Sequence, residues 1–217
     1  MVNTFVKAGI LTFLILGAWF IFSTGFEAQQ NVQILGKIDT VIAQENAVQT
    51  YLDYLEDTQD TERFCTVLGK HIQTQNETLF SLLQDLEVAR KSSLNNQYDA
   101  VRKRFQAANS QLYFSLKRFE KKCPDVDALQ EPILYFFSDN QDCPACELQA
   151  HVLDEVGATC TIPIQIFAFP VEGGIESIDL LVTDYAISQT PSLVIDEIVY
   201  PGVQKASFLK QKLGCET

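Results

Sequence analysis

The sequence is short of histidine, of basic charge and, from Glu27 to Cys123, of proline and glycine. Each shortage excludes something. The two histidines, His71 and His151, limit histidine-based metal or acid–base sites. Lys and Arg number 16 against 28 Asp and Glu, a formal net charge of −12. A nucleic-acid binder needs a basic face to neutralise phosphates, so nucleic acid is not an expected partner. From Glu27 to Cys123 there is no proline, and glycine occurs only at Gly36 and Gly69. Few helix breakers and few turn residues favour long helices there. Six cysteines among 217 residues are too few for a disulfide-dense miniprotein. They suffice for one redox pair plus structural bridges, and position must decide between the two uses. What is abundant is apolar surface, 47% of residues, which is enough to bury a core and excludes wholesale disorder.

Charge is absent between Lys7 and Glu27, where Ala8 to Phe26 reads AGILTFLILGAWFIFSTGF. As a helix, this run would rise about 28 Å, close to the hydrocarbon thickness of a bilayer. Trp19 and Phe20 would sit near the far interface. An uncleaved transmembrane anchor over residues 1–26 is the expectation. A cleaved signal peptide is the alternative, with Ser23 and Gly25 as small residues near a cleavage position. Either reading exports the rest of the chain. The expected location is therefore a single-pass membrane protein with an extracytoplasmic soluble part, where disulfides persist.

Residues 27–123 read as a helical domain. One apolar stripe carries Ile34, Leu35, Ile38, Val41, Ile42, Val48, Leu52 and Leu55. A second carries Phe64, Leu68, Ile72, Leu79, Leu83, Leu86 and Ala89, and a third Tyr98, Val101, Phe105, Ala108, Leu112, Leu116, Phe119 and Cys123. Steps of three and four dominate, the period of a helix face. Polar breaks at Asp57–Asp60 and Ser92–Asn96 suggest caps and turns. The expected form is a coiled-coil-like hairpin or bundle. Cys65 and Cys123 lie symmetrically about the second break, so antiparallel helices would bring them level as a structural disulfide. Two free thiols are the alternative for a chain facing the cytoplasm. The section holds no catalytic constellation and reads as a spacer, a dimerisation surface or a partner-binding arm. Asn76-Glu77-Thr78 is a glycosylation sequon placed within a helix.

Composition changes at Pro124, and residues 124–217 form the third expected domain. Ile133 to Phe137 reads as a buried strand. A polar loop, Ser138 to Asp142, leads to Cys143-Pro144-Ala145-Cys146 and a helical run through Val156. A strand within Ile162–Val171 and a helix within Ile175–Ile187 follow. A hairpin with its turn at Asp196-Glu197 and a helix over Lys205–Leu213 complete the order β-α-β-α-β-β-α.

The CxxC follows a strand and opens a helix, and Tyr185-Ala-Ile187-Ser-Gln-Thr190-Pro191-Ser-Leu193 precedes a second strand. With Gly202, Leu209 and Leu213 beyond, this segment resembles the thioredoxin-like superfamily from about Pro132 to Cys215. The expected fold class is therefore α+β overall: a transmembrane helix, a helical hairpin, then an α/β thioredoxin-like fold. The resemblance implies a thiol–disulfide oxidoreductase. Cys143, near the helix start, would be the nucleophile, because unpaired backbone N–H groups and the helix dipole stabilise a thiolate there. Pro144 suits the first helical turn because no N–H is needed at that point. Cys146, one turn deeper beyond Ala145, would resolve the mixed disulfide. By resemblance, Thr190 and Pro191 form a cis peptide beside the CxxC, and the Thr190 backbone pairs with the substrate chain. In the same topology Cys160 and Cys215 each follow a helix packed on one sheet face, which implies a staple at the far pole. A second redox pair is the alternative.

Departures from the family pattern bear on the chemistry. Tyr135 stands where thioredoxin has a buried aspartate, and Pro-Ala replaces the dipeptides of thioredoxin and of the bacterial disulfide oxidase. Asp139 and Asp142 in the preceding loop would oppose a Cys143 thiolate, so a milder nucleophile is expected. His151, eight residues beyond Cys143, is either a weak partner of the site or a surface residue. No second CxxC or histidine pair completes a zinc site, so no metal and no organic cofactor are expected. The expected partners are proteins with thiols or disulfides, reset by a membrane redox partner. An inert CPAC bridge, a non-catalytic scaffold whose helical arm holds a partner, and a metallochaperone are the competing readings.

Overall fold

The computed structural model describes residues 46–91, 95–123, 132–139, 143–162 and 164–215. The chain divides into two compact units, residues 1–59 and 60–217. Within the first, the described element is a helix over 46–57 (α1), on which Tyr51 and Tyr54 stack with ring centroids 6.3 Å apart.

The second unit begins with α2 (Thr61–Lys91) and α3 (Asn95–Lys122). Asp60 starts α2 by accepting from the Arg63 N–H at 3.2 Å, which satisfies an otherwise orphaned donor. Arg90 and Lys91 in the last turn oppose the negative end of the helix dipole. The two helices lie side by side as their apolar stripes require, and a disulfide joins Cys65 to Cys123, with Cα atoms 5.8 Å apart. Where they come close, a Cβ on Gly69 would lie 3.5 Å from the Phe119 ring.

Next come β1 (Ile133–Phe137), α4 (Pro144–Thr159), β2 (Ile166–Pro170), α5 (Glu176–Asp184), β3 (Ser192–Ile195), β4 (Ile198–Pro201) and α6 (Ala206–Leu213). The strands form one mixed sheet in the order β2-β1-β3-β4. β1 runs parallel to β2 and antiparallel to β3, and β3 is antiparallel to β4. Helices cover both faces of the central strand, which is why Ile133 to Phe136 are all buried without polar alternation. Side chains still alternate between the faces. Leu134, Phe136, Phe167, Phe169 and Val194 point to one core, shared with Ile178 and Leu181 of α5. Ile133, Tyr135, Leu193 and Ile195 point to the other, shared with Leu153 and Val156 of α4 and Leu209 of α6.

The first core also contains Leu112, Tyr113 and Leu116 of α3. Tyr113 packs edge-on against Phe167 at 5.5 Å. Asn109 donates from Nδ2 to the Ala168 carbonyl of edge strand β2 at 3.2 Å, and Ser110 bonds Ser177 of α5 at 2.7 Å. The helical hairpin is therefore built into the sheet's core through α3.

The expected fold class and location need correction. Among the described residues no helix is long and apolar enough to cross a membrane. The reason is charge: α2 carries Glu62, Arg63, Lys70, Glu77, Asp85 and Glu87, and α3 carries Arg102, Lys103, Arg104, Lys117 and Arg118. Each charge at mid-bilayer costs about 2.5–3.5 kcal/mol. The uncharged run 8–26, on which the anchor and the single-pass extracytoplasmic placement rested, lies outside the described residues. The described fold is mostly helical with a four-stranded mixed sheet, and the hairpin is not a free coiled coil because α3 packs on that sheet.

The β3–β4 turn places Asp196 at φ 52° and Glu197 at φ 61°, a left-handed pair that fits a tight hairpin but usually calls for Asn or Gly. Contacts from other elements hold it: Lys212 to Asp196 at 2.7 Å, Lys117 to Glu197 at 3.1 Å, and the Tyr185 hydroxyl donating to Glu197 at 2.7 Å. The Tyr185 bond, with help from Lys117, holds the Glu197 carboxyl below its usual range. A depressed carboxyl stabilises the fold above its unfolded pKa, and that stability is lost as pH falls through the folded value. Melting temperature should therefore fall more steeply below about pH 4.5 in the native protein than in Glu197→Gln. Identical acid-side slopes would remove Glu197 from the account.

Candidate active site

The chain leaves the C-terminal end of β1 and reaches Cys143, the N-cap of α4. Pro144 occupies the first turn, where its missing N–H leaves no gap in the ladder. The Cys143 carbonyl accepts from Cys146 N at 2.9 Å and from Glu147 N at 3.2 Å, which closes the turn. This brings Cys143 and Cys146 into a disulfide with Cα atoms 5.2 Å apart. The two sulfurs sit in different surroundings. Cys143 is half-buried and is followed by exposed Pro144 and Ala145, and its Sγ accepts from the Cys146 N–H at 3.2 Å. Cys146 is 5% exposed. The outer sulfur can be approached and has a donor and a helix terminus to stabilise negative charge, and the inner one is screened.

Thr190–Pro191 is a cis peptide, with Pro191 buried and Thr190 half-buried. Phe136 pairs with Ser192, so Pro191 lies level with Phe137 at the end of β1 from which the chain runs to Cys143. The register thus places the Pro191 loop and the CPAC turn at the same end of the sheet. Cys160, the C-cap of α4, and Cys215, just after α6, are joined with Cα atoms 5.1 Å apart. Cys215 is 8% exposed.

Three features of the site were not read from the sequence. First, the Tyr135 hydroxyl donates to the Cys146 carbonyl at 2.7 Å and ties the CPAC turn to the middle of β1. A buried tyrosine needs a partner for its hydroxyl, and that was the available signal. Burial pushes the Tyr135 phenol up to about 12, so it stays protonated at neutral pH and keeps its O–H as the donor in this hydrogen bond. Tyr135→Phe should lower the unfolding free energy by about 1 kcal/mol in a urea titration. An unchanged midpoint would show that the bond contributes nothing.

Second, the loop before Cys143 is pinned. Glu172 accepts from Ser138 Oγ at 2.6 Å and from Asp139 N at 3.1 Å, and Arg102 of α3 forms an ion pair with Asp139. Asp139 is therefore not an uncompensated carboxylate facing the thiol, which weakens the expected opposition to the Cys143 thiolate. Asp142 lies outside the described residues. Third, Gln149 is completely buried on the inner face of α4, three residues beyond Cys146. A glutamine on that face between Cys146 and Leu153 was the readable signal.

His151 is exposed on α4. Among the described residues, no group of three or more His, Cys, Asp or Glu is placed to hold a metal ion.

No family model and no curated protein matches the chain. Solved structures that match include the thioredoxin-like protein BC3987, at 27% identity over 37% of this chain and 99% of that one, with a TM-score of 0.30. A mutant of the same protein matches at 27% identity over 39% of this chain and 96% of that one, with a TM-score of 0.31.

Proposed function

We propose that this chain is a thiol–disulfide oxidoreductase that exchanges disulfides with polypeptide clients through Cys143 and Cys146. The carrying observation is the asymmetry of the pair: Cys143 is half-buried at a helix start with its sulfur bonded to an N–H, and Cys146 is buried. An inert staple gains nothing from such a polarised arrangement.

The chemistry needs only the chain's own sulfurs. In the reduced protein, the Cys143 thiolate attacks one sulfur of a client disulfide. The client S–S bond breaks, a mixed disulfide forms, and the departing client thiolate takes a proton from solvent. Cys146 then loses its proton and attacks the Cys143 sulfur. The 143–146 bond closes and the second client sulfur leaves as a thiol. Two electrons have moved from the protein to the client. Run in reverse, the steps oxidise a client dithiol. A separate dithiol or disulfide carrier resets the pair and fixes the net direction. Thr190, ahead of the cis Pro191, offers backbone at the same end of the sheet for an extended client segment to pair with.

The test is single-turnover exchange between the reduced full-length protein and a linear peptide containing one disulfide. Release of peptide thiols with closure of the 143–146 bond is the expected result. Absence of exchange with every disulfide offered would overturn the reading.

A further inference from the structure

The buried face of α4 consists of Cys146, Gln149, Leu153 and Val156. Gln149 is the amide in this apolar row and is 0% exposed. Its Oε1 accepts from the Gln204 backbone N–H at 2.6 Å, while its Nε2 is buried without a partner. A buried, unsatisfied donor costs free energy that a leucine in the same space would avoid. Packing alone does not account for the residue.

The bond that Gln149 does make leads to the Pro191 loop. Gln204 uses its own side chain to donate to the Pro201 carbonyl at 3.0 Å and the Gly202 carbonyl at 3.3 Å. Gly202, at φ 76°, donates its N–H to the Pro191 carbonyl at 2.8 Å. A continuous chain of hydrogen bonds thus runs from α4, one turn past Cys146, through the 202–204 turn to Pro191. It crosses between the two parts that an exchange reaction must hold in register.

We infer that Gln149 is a positioning residue that fixes the Pro191 loop against the CPAC helix, so that a docked polypeptide presents its disulfide to Cys143. The inference rests on the proposed thiol–disulfide exchange. It adds a requirement specific to polypeptide disulfides, because a small disulfide needs the Cys143 sulfur but not the docking backbone.

The experiment uses the full-length reduced protein and two probes, bis(hydroxyethyl) disulfide and a linear peptide disulfide. Gln149→Met keeps the side-chain volume and removes the acceptor. Gln204→Ala, at a partly exposed position, removes the side-chain bonds to Pro201 and Gly202 and leaves the Gln149 bond in place. In both variants the ratio of the peptide rate to the small-disulfide rate should fall about three- to tenfold. A ratio unchanged in both variants would overturn the inference while leaving the exchange activity intact. Loss of both rates in parallel would also overturn it, since that outcome marks a general structural role. A native protein that reacts with neither probe would instead overturn the exchange reading itself.

Discussion

Cys143→Ser is expected to lower disulfide exchange at least about a thousandfold, whereas Cys146→Ser is expected to trap the client as a stable mixed disulfide. The difference follows from the two environments. Cys143 lies half-buried at the start of α4 with the Cys146 N–H on its sulfur. Cys146 is 5% exposed, and its carbonyl is held by Tyr135. A client can reach the first sulfur and not the second. Without Cys143 no mixed disulfide forms. Without Cys146 the mixed disulfide has no internal thiolate to resolve it. Non-reducing mass analysis after mixing with a peptide disulfide should find the adduct on the Cys146→Ser protein, attached at Cys143. Adducts formed equally well at Cys146 in Cys143→Ser would contradict the assignment of roles.

Removing the hairpin bridge should cost stability on a scale that thermal unfolding reads directly. Cys65 and Cys123 are 58 residues apart, and closing a loop of that size restricts the unfolded chain by about 4 kcal/mol in the chain-entropy model. For a compact unit of this size, the loss converts to a fall in Tm of about 10 °C. The packing makes the effect reach beyond the hairpin. α3 contributes Leu112, Tyr113 and Leu116 to the sheet's core and pairs Arg102 with Asp139 ahead of the CPAC turn. Loosening α3 should therefore loosen the site's entry loop as well. The measurement is thermal unfolding of Cys65→Ala/Cys123→Ala beside the native protein. A shift below about 2 °C would mean that α2 and α3 are already held by packing alone.

Much of the sheet-containing half was legible because its signals are local. The buried run Ile133 to Phe137 and the CxxC ahead of a helical pattern each occupy few residues. The turn residues at Asp196-Glu197 lie where the chain reverses. Boundaries shifted by a few residues: the strand sought within Ile162–Val171 forms over Ile166–Pro170, and the helix within Ile175–Ile187 over Glu176–Asp184. What the sequence hid was contact between distant segments. The periodicity of α3 announces an apolar stripe but not its partner, and that stripe packs partly on the sheet rather than on a second helix alone. The Arg102–Asp139 pair and the Gln149–Gln204 bond join residues far apart in the chain, and composition carries no trace of such pairings. The membrane expectation had a different origin. It drew on residues 8–26, outside the described residues, and no described helix carries the low charge that a span requires.

The central claim is that one of the three disulfides turns over and two do not. A redox titration of the full-length protein, followed by thiol mapping at each step, tests it most directly. Cys143–Cys146 should open alone, at a potential above about −300 mV, while Cys65–Cys123 and Cys160–Cys215 stay closed. Opening of all three bridges together, or a 143–146 pair as resistant as the others, would contradict it.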